Sequence, residues 1–170
     1  GDKLKIFNLS RILVKNNNVH IITFYRNNED KTFTKPLEEL GIKIHLIRLT
    51  IFESFFNALL AIFQSIPFQV AWYKSKKMKK RIDELLNTND FDVIYHHLIR
   101  TAQYLSVERK NSRLDVIDFT DAVSLYLSRM VDQEKNIIKK LFIKSELKRI
   151  IKYEQIAEKF DALFICSEID

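Results

Sequence analysis

Glycine is almost missing from this chain: 170 residues contain two, Gly1 and Gly41. That scarcity excludes an internal glycine-rich phosphate loop, and neither GxxxxGK[ST] nor GxGxxG occurs. A single cysteine, Cys166, excludes an internal disulfide framework and suits a reducing compartment. CxxC and HExxH are absent, so no zinc motif is present and no metal or cofactor is expected. Proline stands only at Pro36 and Pro67. A membrane-crossing helix needs about 20 largely apolar residues. The most apolar stretch is interrupted by Asn57, Gln64, Pro67 and Gln69 and does not supply them.

What remains is a globular composition, 46% hydrophobic and 29% charged, of a length that suits one domain with a real core. The net charge of +6 favours anionic partners: a phosphate-bearing ligand, nucleic acid or an acidic membrane. No nucleic-acid-binding motif accompanies the charge, so nucleic acid is not expected as a partner.

The apolar periodicity predicts alternating helices and strands. Ile6, Leu9, Leu13 and Val14 share one face of a helix over about 3–15. Strands are predicted at Val19–Phe24, Ile42–Ile47, Phe91–Tyr95, Leu114–Phe119 and Ala162–Cys166, with 25–35 a polar loop. Pro36 suits the first turn of a short helix and Gly41 its C-terminal cap. Helical sequence covers 51–87 with a break at Pro67. A short helix is predicted at 98–107, and a long one at 122–160 with a break near Lys144. Strands separated by helices imply an α/β fold, a Rossmann-like three-layer sandwich whose sheet is mostly parallel.

In such a sheet an opening helix normally follows a central strand. No such strand precedes Lys3, so the sheet is expected to lack its first strand. The native polypeptide is then expected to extend upstream by about ten residues or more. The closing Phe164–Asp170 reads as a buried strand with a polar tip.

Right-handed crossovers bring the strands' carboxyl ends to one edge, where chemistry sits in parallel α/β proteins. His97, in Tyr95-His96-His97-Leu98-Ile99-Arg100, is suited to hydrogen-bond a ligand or shuttle a proton near neutral pH. Arg100 is suited to an anion. Adjacent histidines alternate across a strand, so His96 and His97 are not expected to face one site. The competing reading is a loop histidine that caps a helix. In Asp118-Phe119-Thr120-Asp121, Asp121 is expected to cap the following helix. Asp118, at a strand tip, is suited to accept from sugar hydroxyls or to orient His97.

The stretch 52–81 pairs aromatics with a basic run. It reads as an interfacial segment, with Trp72 at headgroup level and Lys74, Lys76, Lys77, Lys79, Lys80 and Arg81 on anionic lipid. A packed helix followed by a solvated basic helix explains the same pattern. The charges of the long helix after Ala122 read as a solvated face.

Several segments together resemble one family. Gly1-Asp2-Lys3-Leu4-Lys5-Ile6-Phe7-Asn8-Leu9 is similar to the glycine loop and first helix of family-four glycosyltransferases of the GT-B architecture. Val19-His20-Ile21-Ile22-Thr23-Phe24 is similar to their second strand. Asp92-Val93-Ile94-Tyr95-His96-His97 resembles their D-V-[IV]-x-x-H strand end. Val116-Ile117-Asp118-Phe119-Thr120-Asp121 and Tyr153–Glu168 fit the later part of the same half. The likeness spans nearly all of 1–170 and is nearest to bacterial sugar transferases of polysaccharide assembly.

The resemblance implies a single N-terminal, acceptor-side domain, with the donor-binding domain outside these residues and this half inactive alone. It implies a nucleotide-sugar donor, a lipid-linked sugar or glycan acceptor, retention at the anomeric carbon, and no required metal. It implies a cytoplasmic enzyme, peripheral at the inner face of the plasma membrane. Gly1 matches the loop beside donor phosphates and acceptor, with Lys3 next to it, and His97 matches the strand-end histidine. Asp118 and Asp121 stand where many relatives carry a histidine, so that histidine's role is not assigned. A non-catalytic flavodoxin-like interaction module is the alternative.

Overall fold

The structure is a computed structural model that describes residues 2–106 and 113–165. Its order is α1 (Asp2–Leu13), β1 (His20–Tyr25), α2 (Asn28–Thr32), α3 (Lys35–Glu38), β2 (Lys43–Arg48), α4 (Ile51–Ala61), α5 (Phe68–Ala71) and α6 (Lys76–Thr88). There follow β3 (Val93–His97), a 3-10 turn (Ile99–Tyr104), β4 (Leu114–Thr120), α7 (Val123–Gln133), α8 (Ile137–Glu154), a second 3-10 turn (Gln155–Lys159) and β5 (Ala162–Ile165). The architecture is α/β and Rossmann-like, and every strand pairing is parallel.

The strands form two sheets rather than one: β1–β2, and β3–β4–β5. His20 at the start of β1 meets Phe91, just ahead of β3, edge-on at 5.1 Å, so the two inner edges face one another. The arrangement 2-1, break, 3-4-5 matches the 3-2-1-4-5-6 order of doubly wound sheets without its first strand.

Local chemistry sets the boundaries. Gly41 takes φ +84°, the left-handed conformation that costs glycine nothing, and its N–H donates to Glu38 O as the chain leaves α3. Thr50 and Glu53 close a reciprocal capping box that starts α4. Pro67 separates α4 from α5, as its missing N–H requires. The polar loop expected at 25–35 contains a further short helix, α2, because Asn27 and Asp30 form a capping box. The long helix breaks at 134–136 rather than near Lys144. Asn136 accepts from Lys139 N and restarts the chain as α8.

The core cluster lies between β4 and the helices after it. Ile99, Ala102, Ile117, Phe119 and Ile150 are buried together, and Val123, Leu127 and Phe160 pack on them. β4 is the one strand with a run of five buried residues, as expected for a central strand. β5 differs from expectation. Leu163, Phe164 and Ile165 are exposed, because β5 pairs only with β4 and lies at the sheet's edge. Its predicted polar tip, 166–170, lies outside the described residues.

α8 is bound into the fold. Glu146 is buried and accepts from Phe68 N and Gln69 N, which caps α5. Arg149 donates to the carbonyls of Ala61, Ile62, Gln64 and Ile66 at the end of α4. The solvated face predicted for this helix therefore has an exception: its two charged anchors are where α4 and α5 attach.

Candidate functional site

The parallel register sets His97 of β3 beside Asp118 of β4 at the carboxyl edge. Alternation along each strand then sorts the neighbours by face. Tyr95, His97 and Asp118 meet on one face. His96 and Asp115 meet on the other, so the two histidines divide as the pattern predicts.

Asp118 is the centre of the first group and is fully buried. Its Oδ1 accepts from Thr120 N at 2.9 Å and Thr120 Oγ1 at 3.3 Å. Its Oδ2 lies 2.6 Å from Lys5 Nζ, accepts from the Tyr95 hydroxyl, and lies 3.5 Å from His97 Nδ1. Burial alone pushes this carboxyl up. The Lys5 ammonium, the Tyr95 hydroxyl and the Thr120 amide outweigh it and hold the group below the usual carboxylate range. Both oxygens are occupied by protein donors, so the expected bonds to sugar hydroxyls have no place. For the other expected role, orienting His97, the structure places His97 Nδ1 at 3.5 Å from Oδ2, an ion-pair distance.

The backbone around this carboxylate is unusual. Leu98 (φ 70°) and Thr120 (φ 63°) both take positive φ without being glycine. Such residues cost about 1–3 kcal/mol each and collect at functional sites. Leu98 follows His97, its N–H donating to Asp118 O at 2.7 Å, and the Thr120 N–H turns onto Asp118 Oδ1.

On the opposite face, His96 is buried with Nδ1 3.2 Å from Thr101 O and its ring edge-on to Phe160. Asp115 is fully buried and receives Arg113 at 3.3 Å. Burial raises the Asp115 carboxyl, while His96 and Arg113 together hold it below its usual range. This buried group sits among core residues and is structural.

The other expected site residues are dispersed. Gly1 lies outside the described residues. Lys3 does not join Asp118; its ammonium lies 5.5 Å over the Phe33 ring, near the β1–α2 loop. Lys5, two residues along α1 and so on the opposite side of the helix, makes the contact instead. Arg100 stacks 4.4 Å over Tyr73. Asp121 is exposed and does not cap α7, whose N-cap is Ala122 without a side-chain bond. Glu154 of α8 takes the capping role, accepting from Ser124 N at 3.0 Å.

The basic run is largely paired. Lys77 meets Glu53, Lys79 meets Asp83, and Lys80 and Arg81 both meet Glu84. Lys74 and Lys76 are exposed. Trp72 is half-buried in an apolar groove with Phe55, Leu59, Ile62 and Phe142. The α4 face beyond it is open to solvent, with Phe52 and Phe63 each 86% exposed. The start of α8 adds Ile137 and Ile138, 75% and 80% exposed. Among the described residues no helix is long and apolar enough to cross a membrane.

Lys5 and Tyr95 escaped selection in the sequence. Tyr95 carried a signal, since it stands two residues before His97 on one strand face. Lys5 carried none, because its contact depends on how α1 lies across β4.

Lys5 is 33% exposed; His97 is 19% exposed but both its ring nitrogens are buried, so the ammonium is the accessible polar group of the cluster, with the carboxylate behind it. An ammonium held by a buried carboxylate can donate to the hydroxyls of a ligand. No protein-family model, curated protein or solved structure matches the chain.

Proposed function

We propose that this chain is the acceptor-side domain of a GT-B glycosyltransferase that moves a sugar from a nucleotide-sugar to a lipid-linked sugar or growing glycan. The observation that carries the reading is the His97–Asp118 pair, set with Lys5 and Tyr95 at the carboxyl edge of a parallel sheet. In this reading Lys5 holds an acceptor hydroxyl, with the buried His97 ring packed beside it. Asp118 positions both from behind and does not touch the sugar. The donor is held mainly by a second α/β unit, which supplies the electrostatic stabilisation of the departing nucleotide phosphate. The exposed apolar face of α4 rests on the inner face of the membrane and presents the acceptor from there.

Saturation-transfer NMR with a panel of simple glycosides tests the reading. A subset is expected to bind this chain. Lys5→Ala, which removes one charge-assisted contact, and Asp118→Asn, which releases the ammonium, are each expected to weaken that binding about tenfold. If no glycoside binds, or if binding is indifferent to both changes, the assignment fails.

A further inference from the structure

A second polar site lies at the carboxyl ends of β1 and β2, apart from the Asp118 cluster. Tyr25 and Arg48 are register partners at the last rung of that sheet. With Arg26, Asn27, Asn28 and Lys31 they line a cavity of about 410 Å³. That is within the range of ligand pockets, about 300–1,000 Å³.

The lining carries three cations and, among the described residues, no carboxylate. Neither the Arg26 nor the Arg48 guanidinium makes a hydrogen bond or ion pair among the described residues. Lys31 is held in place, its ammonium 4.7 Å over the Tyr25 ring. Asp30, beside Lys31 in the chain, is turned back and accepts from Arg26 N at 2.7 Å and Asn27 N at 3.1 Å. Those backbone bonds, chiefly, hold its carboxyl below the usual range. Three like charges around one cavity repel, and an anion between them relieves the repulsion. Two guanidiniums and an ammonium with two side-chain amides are the donor set that suits phosphate oxygens.

We propose that Arg26, Lys31 and Arg48 form a binding site for a phosphate or diphosphate group. The position says what else the ligand can carry. Three residues past Arg48 the chain enters α4, whose first turn exposes Ile51 and Phe52. A phosphate in the cavity can therefore be free or borne by a lipid whose chain lies along α4. The site stands on its own electrostatics and does not depend on the glycoside reading of Asp118.

Calorimetric titration of the chain with inorganic pyrophosphate tests the site, beside cosedimentation with phosphatidylcholine vesicles that contain phosphatidic acid or lack it. Arg26→Gln/Arg48→Gln is expected to weaken pyrophosphate binding tenfold or more, with circular dichroism unchanged. Lys135→Gln/Lys144→Gln removes the same charge from exposed positions of the α7–α8 region and is expected to change it less than about twofold. Binding of pyrophosphate and of phosphatidic acid vesicles, both lost in the arginine variant, supports a lipid-borne phosphate. Binding of pyrophosphate alone supports a free one. Absence of pyrophosphate binding up to millimolar concentration overturns the site. So does equal loss in both double variants, which would mark a diffuse charge effect, or vesicle binding that ignores Arg26 and Arg48.

Discussion

Four buried or half-buried side chains make folding pH-dependent in one direction. His45 Nε2 lies 3.3 Å from His20 Nδ1, and its Nδ1 lies 3.2 Å from Arg81. Burial first, then the charges of Lys43 for His20 and of Arg81, His20 and Lys43 for His45, lower both imidazoles from 6.5. Groups lowered in the folded state bind fewer protons there than in the unfolded chain, so stability rises with pH across their range. Their contribution is complete above 6.5 and is lost as pH falls below it. Asp115 and Asp118 are lowered from 3.8, so theirs is complete above that value and is lost as pH falls through the depressed folded values. Thermal melts from about pH 8 to about pH 3 are expected to fall in two steps. His45→Gln is expected to shrink the upper step alone; parallel curves for wild type and variant would refute the histidine assignment. The residue types at these places were legible, since His97 and Asp118 stand at strand tips. Their contact was not, because it needs the register of two strands 21 positions apart.

At the scale of elements, the charged anchors of α8 connect segments far apart in the chain. Glu146 caps α5 from 78 residues away, and Arg149 gathers the carbonyls that end α4. Glu146→Ala leaves the N–H groups of Phe68 and Gln69 without that acceptor, and a buried unsatisfied donor costs about 1–3 kcal/mol. Urea unfolding is expected to show a loss of that size. Glu146→Gln, whose carbonyl still accepts, is expected to lose less; equal losses would contradict the capping role. All five strands lie within two residues of their predicted places, because each is a short apolar run bounded by polar residues. The helix breaks were legible where proline enforces them. The break at 134–136 was missed, since Asn136 works as a cap only through its own geometry. Charges spaced along an amphipathic helix look alike whether they meet water or, like Glu146, a distant amide.

For the whole molecule, the distribution of apolar surface decides where it can associate. Phe52, Phe55 and Phe56 on α4 and Ile137, Ile138 and Leu141 on α8 are each at least 60% exposed. Exposed apolar patches of this kind mark interaction surfaces. Phe52→Ser/Phe56→Ser is expected to reduce cosedimentation with anionic vesicles severalfold and to leave the melting temperature within a few degrees, because neither ring is in the core. Unchanged cosedimentation would remove α4 from the membrane reading. The sequence showed α4 as apolar. It did not show which face turns outward, because that depends on where α5 and α8 pack.

The break between β1 and β3 has a consequence for how the protein behaves in a crowded solution. Two sheets have four edges; those of β1 and β3 face one another, and those of β2 and β5 lie outermost. Each open edge is a row of amide and carbonyl groups that pairs with whatever extended chain arrives. Strand exchange between copies, and capture of unfolded chains, would begin at β2 and β5, the outer strands, neither of which pairs with a further strand among the described residues. Protecting those two edges is then the first requirement for keeping the protein monomeric at high concentration.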